Sequence, residues 1–334
     1  MLMTTPIFPP KLLAGNEIRV VAPARSLSIV GDTNTQLAKQ KLESMGYTVS
    51  FAEHSQECDI FASSSIKSRV DDLHAAFANK NVKAMLTAIG GFNSNQLLPH
   101  LDFELISKNP KIICGYSDIT ALANAIFAKT GIVTYSGPHF STFAMQKQFE
   151  YVAAGFDNCL VHTEPFQSIA SDYWSDDAWY KEQNKRELIK NAGFWTICDG
   201  TATGTIIGGN ISAFSLLFGT PFMPDLADTI VFLEDDELAK EYTAVTFDDK
   251  LHALLQQRGA DRILGLVIGR FQKTSQITRE KLAFIVSNIP QLKNKPIIAN
   301  ADFGHTQPQI TFPIGGKAKL HVKDGIAKLT ILQH

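Results

Sequence analysis

The first 135 residues constrain the fold most, because short apolar runs alternate there with helical stripes. Ile18 to Ala22, Tyr47 to Ala52, Ala84 to Ile89, Lys111 to Cys114 and Ile132 to Tyr135 have the length and composition of strands. Between them, Ala38, Leu42 and Met45 recur at helical spacing before Gly46. Ile66, Val70, Leu73 and Phe77 line one face of a second helix, and Ala121 to Ala128 predicts a third. Strands separated by helices of this length run parallel, and the helices cover both faces of their sheet. Ligands of such sheets sit at the carboxyl ends of the strands. Two predicted strands end there in glycine, one in Gly90-Gly91 and one in Gly115-Tyr116-Ser117.

Beyond that region the pattern changes. From about Phe140 to Phe194 it dissolves into a polar stretch with Tyr173, Trp174, Trp179 and Tyr180 close together. This reads as a long connecting loop or lid, since structureless segments of that length are usually functional or mobile. Strand signals return at Gly204 to Gly208, Thr229 to Leu233, Leu264 to Ile268 and Pro296 to Ala299. Phe247, Leu251 and Leu254 mark a helix among them. The tail, Ile310 to Leu332, predicts hairpins broken at Gly315-Gly316 and Asp324-Gly325. At roughly 100–200 residues per domain, 334 residues make two domains.

Composition narrows the function classes. With 45% hydrophobic and 19% charged residues, the chain is globular and neither disordered, collagen-like nor a coiled coil. No apolar run approaches the ~20 residues of a membrane span. The net charge of −2 has no like-charge block behind it, so neither nucleic acid nor a membrane surface is an expected partner. Met1 to Lys11 has Pro9-Pro10 and no basic-then-apolar pattern, so export by that route is not expected. Cys58, Cys114, Cys159 and Cys198 form no C-x-x-C pair, which predicts reduced thiols in a cytoplasmic protein and no metal site.

The sharpest chemical feature is Lys111 to Thr120, KIICGYSDIT. A buried strand runs into Gly-Tyr-Ser-Asp and a helix begins at once. A serine on such a turn is lifted clear of the sheet, as in a nucleophile elbow, and the helix N-terminus favours a developing oxyanion. Thr120 stands near where the second glycine of G-x-S-x-G would be, and Ser117 or Asp118 could equally cap the helix. Gly90-Gly91 could donate N–H groups to an oxyanion, hold a phosphate, or simply form a tight turn. Of nine histidines, His305 stands out, in a loop just beyond the strand ending at Ala299. Glu234 ends the run Ile230 to Leu233 in the same way, either as a solvated cap or as the carboxylate that orients a catalytic base. No ligand-spaced motif supports a metal at His139 and His305. A non-catalytic nucleotide or sugar binder on the same sheet is the rival reading.

Taken together, Ala88 to Leu122, TYSGP (Thr134 to Pro138), IIGGN (Ile206 to Asn210), FLED (Phe232 to Asp235) and FGHTQPQITFPIG (Phe303 to Gly315) resemble the LD-carboxypeptidase family of serine peptidases. That family includes the microcin C self-immunity proteins. The resemblance implies an α/β chain with a Rossmann-like parallel-sheet domain at 1–145, a connecting loop at 146–195 and a smaller β-rich α/β domain at 196–334. It implies a triad of Ser117, Glu234 and His305, with Gly91 and Asp118 amides as the oxyanion hole. No cofactor is implied, and a homodimer is. The implied substrate is a small peptide, a murein tetrapeptide losing its terminal D-alanine. In the immunity branch it is an aminoacyl-nucleotide conjugate, whose base would stack on Trp174, with Asn210 also in contact. Asp236-Glu237 departs from that branch, which carries a serine and then often a basic residue there.

Overall fold

A computed structural model describes residues 5–334, so the first four residues of the 1–145 unit lie outside it. In chain order the first unit runs β1 (Glu17–Val21), α1 (Asp32–Ser44), β2 (Thr48–Phe51), α2 (Ile66–Ala78), β3 (Val82–Thr87), α3 (Phe103–Lys108), β4 (Ile112–Cys114), α4 (Ile119–Thr130) and β5 (Thr134–Ser136). These strands pair in the order β5-β4-β3-β1-β2, all parallel, as their helix-separated pattern requires. Side chains finish the helix ends. Lys111 donates to the carbonyls of Ala76, at 3.1 Å, Phe77, at 2.7 Å, and Asn79, at the C-terminus of α2. Those carbonyls have no partner within the helix.

The stretch expected to be a structureless loop is not one throughout. It holds helix α5 (Phe149–Leu160) and the short strands β6 (Phe166–Ser168), β7 (Tyr173–Trp174) and β8 (Ile189–Lys190). Phe149, Val152, Phe156, Cys159 and Leu160 bury one face of α5 in the core of the first sheet. Burying that stripe gives the segment its helix.

The last third supplies β9 (Trp195–Cys198), β10 (Gly200–Asn210), α6 (Ile211–Ser215), β11 (Thr229–Glu234), α7 (Thr243–Leu254), β12 (Gly265–Gly269), α8 (Arg279–Ser287), β13 (Ile297–Ala301), β14 (Phe312–Ile314), β15 (Lys317–Lys323) and β16 (Ile326–Gln333). The second sheet has the order β6-β16-β15-β10-β11-β12-β13-β9, with a parallel centre from β10 to β13 and antiparallel flanks. Of the two expected hairpins, that at Asp324-Gly325 forms between β15 and β16, with both residues at positive φ, the backbone a two-residue turn demands, whereas none forms at Gly315-Gly316, because β14 pairs with β5 instead of β15. β14 leaves this unit and pairs antiparallel with β5 as the edge of the first sheet.

Helix α4 sits between the two sheets, buried from Ile119 to Ile126. The amide of Asn124 exchanges two hydrogen bonds with the Gly208 backbone, at 2.9 and 3.1 Å. The Asn210 N–H donates to Thr120 Oγ1 at 3.0 Å. A side-chain carbon on Gly209 would stand 2.5 Å from that same Oγ1, so the Ile206 to Asn210 motif is shaped to receive the helix. Among the described residues no helix is long and apolar enough to cross a membrane.

Candidate active site

Ser117 lies at the turn between β4 and α4, with φ at 60°. A residue with a Cβ pays about 1–3 kcal/mol for that conformation, so the surroundings must enforce it. Its hydroxyl does not cap α4; Ser117 Oγ is 3.0 Å from His305 Nε2. Asp118 does not cap it either. Its carboxylate instead accepts the N–H groups of Asn93, at 3.0 Å, and Ser94, at 2.8 Å. Ser94 Oγ returns a bond to the Asp118 carbonyl at 2.7 Å. The Gly90-Gly91 loop is therefore locked to the serine turn. Burial raises the Asp118 pKa, against the pull of those bonds and of the Arg69 charge.

The acid and the histidine arrive from the other sheet. Glu234 ends β11 and is 2% exposed. His305 follows β13 in the loop beginning at Asp302. Its Nδ1 is 2.8 Å from Glu234 Oε2, so a hydrogen-bonded chain runs from Glu234 through His305 to Ser117. Burial pushes the imidazolium pKa down, but the charge and hydrogen bond of Glu234 outweigh it, and Asp236 and Asp235 add to them. The result is a pKa raised to about 9. Tyr116 meets His305 edge-on, with centroids 5.6 Å apart, and stacks on His139 at 4.3 Å. His139 is buried, with Nδ1 2.7 Å from Thr87 Oγ1; burial, then the charges of His305 and Arg25, lower its pKa to about 3, so it stays neutral.

The remaining predicted residues separate. The Gly91 and Asp118 N–H groups find no protein acceptor among the described residues. A side-chain carbon on Gly90 would be 2.9 Å from Ser117 Cβ, so only glycine fits beside the serine. The Asn210 side chain is engaged within the protein. Its Oδ1 accepts from Ala213 N at 2.9 Å as the N-cap of α6, and its Nδ2 lies 3.4 Å from Asp235 Oδ1. Asp235 is also held by Lys250 at 3.0 Å and Ser212 at 2.6 Å.

Trp174 is half-buried in β7 with the Arg270 guanidinium 5.3 Å from its ring centre. The next residue, Ser175, exchanges two backbone hydrogen bonds with Gln307, each 2.8 Å, which docks this segment beside the His305 loop. Asp302 completes the joint. It pairs with Arg270 at 2.5 Å and accepts from Tyr151 Oη at 3.0 Å, Ser171 N at 2.6 Å and Asn191 Nδ2 at 3.2 Å. Sequence reading missed this hub and the Asp118 clamp. Asp118 was chosen only for its backbone amide and Asp302 stood three residues before the chosen His305, but a carboxylate's partners across the fold leave no local signal.

Sequence and structure comparisons show what the chain is similar to. The LD-carboxypeptidase N-terminal domain model matches residues 18–137 and the C-terminal domain model residues 203–320. YocD of Bacillus subtilis (strain 168), whose name carries a carboxypeptidase assignment, is 47% identical over 324 residues, 97% of this chain and 99% of that protein. The crystal structure of an MccF-like protein from Bacillus anthracis str. Ames superimposes with a TM-score of 0.97 at 52% identity, covering 98% of this chain and 100% of that one. A structure of MccF in complex with glutamyl sulfamoyl guanosine gives 0.87 at 25% identity, covering 98% and 99%.

Proposed function

The chain belongs to the LD-carboxypeptidase family and is a serine peptidase; on that footing we propose that Ser117, His305 and Glu234 are its catalytic triad and a short peptide its substrate. The observation that carries the proposal is the hydrogen-bonded chain joining residues 188 apart, Ser117 and His305, and ending on a buried carboxylate. His305 Nε2 takes the Ser117 proton, and Glu234 holds the imidazole and stabilises its cation. Ser117 Oγ attacks the amide carbonyl, and the Gly91 and Asp118 N–H groups receive the oxyanion. His305 then protonates the departing amine, and water hydrolyses the acyl-enzyme. The cycle calls on no metal or organic cofactor.

The scissile bond in this reading is the LD amide of a murein tetrapeptide. Asp236 and Glu237, partly exposed just beyond Glu234, favour a substrate bearing an amine over one bearing phosphate. A second reading, an aminoacyl-nucleotide conjugate, draws support from the Trp174 segment docked beside His305 and from the likeness to MccF. Cytoplasmic residence accords with four free cysteines, and a homodimer is the state we assign from the family resemblance. A fluorophosphonate should label the wild type once per active site and leave Ser117→Ala unlabelled. An unlabelled wild type would favour the rival reading, a binding protein. Side-by-side hydrolysis of murein tetrapeptide and an aminoacyl sulfamoyl adenylate then chooses the substrate, with the peptide expected to be cleaved faster.

A further inference from the structure

Arg25 follows β1 in Ala22-Pro23-Ala24-Arg25 and reaches the loop beside the nucleophile. Its backbone N–H and its Nε both donate to the Gly90 carbonyl, at 3.4 and 3.3 Å. A side-chain carbon on Gly91 would stand 3.1 Å from Arg25 Cγ, and one on Gly90 would stand 3.1 Å from Ser117 Oγ. Arginine and serine therefore flank the same two glycines. The guanidinium carbon lies 5.7 Å from the centre of the exposed Phe92 ring, within cation–π range. With Nε spent on Gly90, the terminal nitrogens keep their donors.

Three cations near the triad are committed to carboxylates, Arg270 and Lys273 on the segment after β12 and Lys250 on α7. Arg270 pairs with Asp302 at 2.5 Å, Lys273 with Asp176 at 3.0 Å and Lys250 with Asp235 at 3.0 Å. Arg25 has no carboxylate partner among the described residues. A planar cation held this way is suited to a bidentate anion supplied by a ligand.

An enzyme that removes one C-terminal residue must tell a free carboxylate from a continuing chain. That carboxylate hangs two bonds beyond the scissile nitrogen, within a few ångströms of the carbon that the serine attacks. We propose that Arg25 is the anion seat of this site and binds the terminal carboxylate of the departing residue. This rests on the serine-peptidase reading above. An aminoacyl-nucleotide also places an anionic or strongly polar group next to its scissile nitrogen, so the two substrate classes share the chemistry that Arg25 reads.

The test compares kcat/KM for a murein tetrapeptide ending in free D-alanine, for its C-terminal amide, and for an aminoacyl sulfamoyl adenylate. The wild type should prefer the acid to the amide by about 10- to 100-fold, the range of a charge-assisted hydrogen bond. Arg25→Ala should collapse that ratio below about threefold through KM rather than kcat, and Arg25→Lys should recover part of it. Loss on the adenylate as well means the seat reads either anion; loss on the peptide alone means it is built for carboxylate. A wild-type ratio near one, or a ratio unchanged in both variants while turnover persists, overturns the seat and leaves the peptidase reading standing. A wild type that cleaves none of the three substrates overturns the peptidase reading and the seat with it. Thermal melting of both variants separates misfolding from lost recognition, and Arg25→Lys keeps the charge should Arg25→Ala fail to fold.

Discussion

At φ 60° Ser117 occupies backbone territory that glycine enters freely and serine does not. Ser117→Gly and Ser117→Ala both lack the hydroxyl and should both be inactive. Only glycine relieves the backbone, so Ser117→Gly should be the more stable by about 1 kcal/mol in denaturant unfolding. Equal stability of the two would mean that the turn is unstrained. His305 makes a second residue-scale prediction. A base with a pKa of about 9 is mostly protonated at neutral pH. The neutral fraction rises tenfold per pH unit below that value, so kcat/KM should climb from about pH 6 and level off near 9. Asp236→Asn removes a charge that holds the imidazolium, so its rising limb should shift to lower pH. An unshifted limb would mean that Asp236 does not act on His305.

The clamp between the Asn93-Ser94 turn and the start of α4 belongs to the scale of elements. Asp118→Ala keeps the backbone N–H proposed for the oxyanion but strands two N–H groups that the carboxylate accepted. The loop carrying Gly91 should then drift, with kcat falling about 10- to 100-fold, while Asp118→Asn, which retains an acceptor oxygen, should fall less. Equal, near-normal kcat in both variants would show that the loop holds its place unaided. The β7 segment offers a parallel test. Trp174→Ala should lose roughly 1–3 kcal/mol of affinity for a nucleotide conjugate if the ring stacks on a base. Equal loss on both substrate classes would show that Trp174, lying on Arg270, only anchors the segment. Legibility at this scale was uneven. Strands and helices of the first unit follow from period alone, whereas α5 was read as loop although Phe149, Val152 and Phe156 recur at helical spacing. Gly155 within it and the polar aromatic stretch after it masked a stripe whose meaning depends on the core that it covers.

For the whole molecule, the two units are interleaved rather than strung in series. β14 closes the first sheet from the far end of the chain, and Ala123 of α4 packs with the core of the second unit. Lys11 Nζ reaches the carbonyl of His334 at 2.7 Å, and His334 is buried. A fragment ending at residue 145 should therefore show no cooperative thermal transition in calorimetry, since it loses a sheet edge and uncovers α4. A sharp transition in that fragment would refute the interdependence. By itself the sequence determined the order of elements, the serine turn, and the acid and the histidine at two further strand ends, because those follow from local period and from where strands stop. It left helix capping open for Ser117 and a solvated end open for Glu234, and the family likeness was needed to join them. Tertiary structure alone decided that His305, singled out in the sequence by its place at a strand end, stands within hydrogen-bond distance of Ser117, and that Asp118 clamps a loop instead of capping a helix. The Ser117–His305 bond spans 188 residues and forms only when the two sheets pack on one buried helix, and the Asp118 clamp joins two loops of the first sheet 24 residues apart, distances that local pattern does not encode.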